Sequence, residues 1–105
     1  MNTRLHAELW TSWASLLRSY AAAHGLNSVH HAIVEVSAEQ ITLRVNDRWM
    51  RFTPCEIQHI GESPVPFMLH EDGTVTFQPH HQPAVSVAMD IAAEQFARQM
   101  LTEAG

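Results

Sequence analysis

The residues of this chain best suited to chemistry are its histidines, eight in 105 residues, and its single cysteine. Cys55 and His59 stand four apart. On a helix that spacing puts a thiol beside a base, and it is the only nucleophile–base pair that local spacing offers. An orienting third group and an oxyanion site are not readable, so no catalytic residue is assigned. His30-His31 and His80-His81 are adjacent pairs. Neighbours on a strand point to opposite faces, so His30 and His31 cannot share a metal if both lie in one. A tight metal site needs three or four convergent ligands, and there is no HExxH and no His pair at helical spacing. No metal ligand and no cofactor is assigned. The chain also lacks a Walker A loop, GxGxxG and GxSxG.

These residues must be positioned by a single domain spanning 1–105, since the length leaves no room for two. Apolar residues make up 46% and charged residues 16%, a globular composition. The formal charge is −5 and every basic residue is arginine. That balance argues against nucleic-acid binding, which rests on many basic phosphate contacts. The lone cysteine, the lack of an apolar run long enough to span a bilayer and a start unlike a signal peptide lead to an expected cytoplasmic location and no membrane contact.

Leu5, Leu9, Trp13, Leu16, Leu17 and Tyr20 recur at spacings of three and four, which predicts a helix over 3–24, with Gly25 as its stop. Residues 29–53 read as three strands in a meander, the second and third joined by an Asn46-Asp47 turn. That turn sets Val45 opposite Arg48, Arg44 opposite Trp49, Leu43 opposite Met50 and Ile41 opposite Phe52. Thr53 and Glu56 have capping-box spacing, Pro54 falls at the first helical position and Gly61 follows as a stop, which predicts a short helix over 53–61. A second hairpin follows, with Asp72-Gly73 as a two-residue turn that pairs Met68 with Phe77. Residues 84–103 read as the last helix. The expected fold is α+β and two-layered, in the order α-β-β-β-(short α)-β-β-α. Both long helices pack on one face of a five-stranded antiparallel sheet.

No residue motif marks a family. The element order is similar to that of small dimeric secretion chaperones, which share a helix, three strands, a short helix, two strands and a helix. Frataxin-like proteins also flank a meander with two helices. They carry an acidic ridge on the first helix, where this chain has only Glu8, and that argues against an iron-binding role.

The predicted pairing leaves one sheet face open, carrying Ile33, Arg44, Trp49, Arg51, Phe67 and Leu69. A central tryptophan among arginines and apolar groups has the composition of a protein interface, and such a patch is seldom bare on a monomer. The expected function is therefore a non-catalytic protein- or peptide-binding module, homodimeric through this face. The alternative is a small-ligand or metal-binding protein, or a minor enzyme. Its pocket would lie near residues 54–66, with Cys55, His59, His70, His80 and His81 as polar groups.

Overall fold

A computed structural model describes residues 3–25 and 31–103. It is α+β: helix α1 (Thr3–Gly25), seven strands, and helix α2 (Met89–Glu103). The strands are β1 (Ala32–Val36), β2 (Ile41–Val45), β3 (Arg48–Phe52), β4 (Glu56–His59), β5 (Val65–Leu69), β6 (Thr74–Phe77) and β7 (Val85–Ala88). They form one antiparallel meander in the order β1-β2-β3-β4-β5-β6-β7. The five expected strands become seven because two segments expected to be helical are strands. Among the described residues no helix is long and apolar enough to cross a membrane.

The first correction is β4. Thr53, Pro54 and Glu56 do not start a helix. The Thr53 amide donates to the Glu56 carbonyl at 2.9 Å, which closes a two-residue hairpin turn at Pro54-Cys55. The Thr53 hydroxyl accepts the Glu56 amide at 3.1 Å, a bond that serves a turn as readily as a helix cap. Strand pairing wins because it sets Ile57 opposite Phe52, where both are buried. The short helix of the secretion-chaperone order is therefore absent here. The second correction is β7. Val85, Ser86, Val87 and Ala88 pair with β6, and α2 starts only at Met89.

The β2–β3 hairpin has the register expected from the sequence. Ile33 lies opposite Arg44, and all five β2–β3 pairs fall as the Asn46-Asp47 turn requires. Asn46 adopts φ 57°, the positive value such a turn needs at its first central residue. The β5–β6 hairpin is shifted by one residue. The His70 amide donates to the Thr74 carbonyl at 2.9 Å, and the Gly73 amide to the His70 carbonyl at 3.1 Å. The loop is thus Glu71-Asp72-Gly73, with Gly73 at φ 84°. A three-residue loop closed by a left-handed glycine is a standard alternative to the two-residue turn. Phe67 now pairs with Phe77, Met68 with Thr76 and Leu69 with Val75. One residue of slip exchanges the faces, so Phe67 and Leu69 enter the core and Met68 leaves it.

Asp72 fastens this loop. Its Oδ1 accepts the Thr74 hydroxyl at 2.6 Å and the Thr74 amide at 3.1 Å. These bonds, the hydroxyl foremost, hold the carboxyl below its ordinary value of 3.8. A lowered carboxyl stabilises the fold above its unfolded-state value, and that contribution is lost as pH falls through the folded one. Asp72→Asn should therefore lower the melting temperature at neutral pH and narrow the gap to wild type in strong acid. Thermal melts of both proteins across the acid range check this.

With the register set, the sheet's two faces sort cleanly. Ile41, Leu43, Val45, Met50, Phe52, Ile57, Phe67, Leu69 and Val75 point to one side and are buried. Both helices pack there, joining Leu9, Trp13, Leu17, Ala92, Phe96 and Met100 to the same core. At its centre Trp13 meets Phe52, Phe67 and Phe96 at centroid distances of 5.4, 5.5 and 6.1 Å. The Trp10 indole donates to the Ser37 carbonyl at 2.9 Å and ties α1 to the β1–β2 turn.

Candidate functional site

Strand alternation places Ile33, Arg44, Trp49 and Arg51 together on the face away from the helices. Ile33 is 55% exposed, while Trp49 and Arg51 are half-buried. The two arginines hold different partners. Arg51, two residues along the same strand, lays its guanidinium 4.4 Å from the centroid of the Trp49 ring. Arg44, the cross-strand neighbour of Trp49, instead makes a 3.0 Å ion pair with Glu35. Exposed pairs of both kinds are worth about 1 kcal/mol or less. They orient the surface more than they stabilise it.

Between the two arginines Thr42 is buried, although it is on the outer face. The Gln40 side-chain amide donates to its hydroxyl at 3.4 Å. Glu35, Ser37, Gln40, Thr42, Arg44 and Arg51 enclose a hollow of about 310 Å³. Arg51 Nε is buried at this site and has no hydrogen-bond partner among the described residues. A buried guanidinium donor left unpaired costs free energy, and an acceptor brought by another molecule would recover it.

Phe67 and Leu69, expected on this face, are 2% and 3% exposed and belong to the core. Met68, 54% exposed, stands on the outer face in their place. The strand pairing already set Thr42 on this face, opposite Arg51, whereas Met68 was expected on the core side. A reading of Gly73 as the left-handed third residue of its loop would have found Met68.

The remaining polar candidates are dispersed. His70 is on the outer face, where Nε2 is 2.7 Å from the Thr76 hydroxyl and that hydroxyl 3.0 Å from Ser86 Oγ. His59 is opposite Met50 and faces the helix side. Cys55 is exposed in its turn, so strand geometry cancels the helical spacing that would have brought His59 to it. His80 Nε2 donates to the Ser63 carbonyl at 3.0 Å. His31 is exposed and His30 lies outside the described residues. Among the described residues no three His, Cys, Asp or Glu side chains converge on a point that could hold a metal ion.

The chain is thus defined by its architecture: two helices on one face of a seven-stranded meander, the other face uncovered by any described element. Compared with protein-family models, curated proteins and solved structures, it matches none at a significant level.

Proposed function

We propose that the chain is a non-catalytic binding module that holds a protein or peptide on the outer face of β1–β3. The observation that supports this most is the Arg51–Trp49 pair: a half-buried aromatic under a guanidinium whose Nε is buried and unpaired. Around it stand an ion pair, a hollow with a buried hydroxyl and the exposed Ile33. Tryptophan and arginine dominate the energetic centres of interfaces, and an acceptor from a partner would satisfy Arg51. The partner of first choice is a second copy of the chain, because closed twofold pairs are the commonest assemblies of soluble chains.

Trp49→Ala should weaken self-association by at least about tenfold, the effect of losing one interface anchor worth roughly 2 kcal/mol. The fold should remain, since Trp49 lies outside the buried core. Sedimentation velocity of wild type and variant over a concentration series checks this. Ile91→Ser, on an exposed helix position, serves as the control that should sediment like wild type. Identical sedimentation of wild type and Trp49→Ala would remove the proposal.

A further inference from the structure

The outer face of the sheet carries acids as well as arginines. Strand alternation puts Glu35 of β1 and Glu56 of β4 on it. Glu35 is committed to Arg44 of its own chain, at 3.0 Å. Glu56 is exposed and has no ion-pair partner among the described residues. The Arg51 guanidinium has none either; it lies over the Trp49 ring and lines the hollow beside the buried Thr42.

One cation and one anion without a counter-charge thus share a surface. Arg51 is opposite Gln58, and Glu56 is two residues from Gln58 on β4. At about 4.8 Å between strands and 3.4 Å per residue, the Cα atoms of Arg51 and Glu56 are roughly 8 Å apart. They do not pair, because Arg51 extends the other way, over Trp49. Past Glu56, on β5 and β6, the same face holds a groove of about 250 Å³ whose lining includes Cys55, Pro66, Met68 and Ala84.

The order across the face is therefore Trp49, Arg51, Glu56, groove: an aromatic anchor, a cation, an anion and an apolar recess. That order is self-complementary. A twofold axis in the plane of contact, midway between Arg51 and Glu56, reverses it in a second copy. Each Arg51 then meets the other copy's Glu56, and each Trp49 meets the other copy's groove. Closed twofold contact requires this reciprocity, in which residue i meets j and j meets i. Opposite charges so placed also fix the register of approach.

We infer that the partner on this face is a second copy bound about that axis, with Glu56 of each copy paired to Arg51 of the other. The pairing rests on the outer face of β1–β3 being an interface, and it extends that interface over β4 and β5.

The test compares wild type, Arg51→Glu, Glu56→Arg, Glu56→Gln and Trp49→Ala by sedimentation velocity and native mass spectrometry at low ionic strength. Arg51→Glu sets acid against acid and Glu56→Arg sets base against base. Each should self-associate at least about tenfold more weakly than wild type. Glu56→Gln, which removes the charge and keeps the shape, should also weaken association. An equal mixture of Arg51→Glu and Glu56→Arg should form a heterodimer that neither forms alone, because both contacts then join opposite charges. The pairing is overturned if Glu56→Arg or Glu56→Gln associates like wild type, or if the mixture yields no heterodimer. Should Trp49→Ala dissociate while the Glu56 variants do not, the face remains an interface and only the pairing falls. A wild-type monomer, or a dimer that survives Trp49→Ala, removes the interface and the pairing together.

Discussion

Trp13→Ala should cost about 3–5 kcal/mol, a large part of the 5–15 kcal/mol that holds a domain of this kind folded. Trp13 is fully buried and is in ring contact with β3, β5 and α2 at once, through Phe52, Phe67 and Phe96. Truncating it opens a cavity where both layers meet, so neighbours on three elements lose contacts together. The melting temperature should fall by at least about 12 °C. Trp13→Phe is expected to cost much less, about 1–2 kcal/mol, because the Trp13 indole N–H is itself buried without a partner and its removal relieves a penalty. Urea denaturation of the two variants separates these outcomes. Equal losses would mean that the site depends on contacts only the indole makes, not on the bulk of an aromatic ring.

The second large effect depends on a single residue of register. Leu69→Asp should leave the chain unfolded or nearly so. It gives up about 2–3 kcal/mol of buried leucine and forces a carboxylate into the core. Met68→Asp, its neighbour, should shift stability by no more than about 1 kcal/mol, because Met68 is 54% exposed on the outer face. A two-residue turn at Asp72-Gly73 would exchange the two results. Circular dichroism at room temperature decides between them, since only one of the two variants should keep the native spectrum.

That hairpin shows where the sequence is readable and where it is degenerate. Asp-Gly marks a turn correctly, yet a two-residue turn and a three-residue loop closed by Gly73 use the same residues. Both faces of 67–69 and 75–77 contain apolar residues, so hydrophobic pattern could not choose between registers. In the β2–β3 hairpin it could: Ile41, Leu43, Val45, Met50 and Phe52 all fall on one side only in the register observed. The segment from Thr53 to Gly61 carried a cap, a proline and a glycine stop, the same punctuation that a hairpin uses. Its one strand signal, Ile57 opposite Phe52, is non-local. Val85 to Ala88 alternates for only four residues and runs straight into α2, so the helical stripe from Met89 onward absorbed it.

The candidate site was legible to the same extent as its strands. Ile33, Arg44, Trp49 and Arg51 rest on the two hairpins whose register the pattern fixes, and they share the expected face. Phe67 and Leu69 rest on the slipped hairpin and went to the core with it. Cross-strand pairing pointed to Arg44 as the arginine over Trp49, but Arg51 holds that place. Both Arg44 and Arg51 were within reach, and Glu35 settled the matter by drawing Arg44 into an ion pair. A cavity beside His59, between α2 and the loops 60–64 and 79–82, was foreshadowed only as a pocket near residues 54–66. Its aromatic walls come from β6 and α2, distant in sequence.

The central claim is that the outer face of β1–β3 is an interface. Native mass spectrometry of the untagged chain at neutral pH and micromolar concentration tests it most directly. The account predicts a dimer for wild type and a monomer for Trp49→Ala at the same concentration. A wild-type monomer, or a dimer that Trp49→Ala leaves intact, would contradict it.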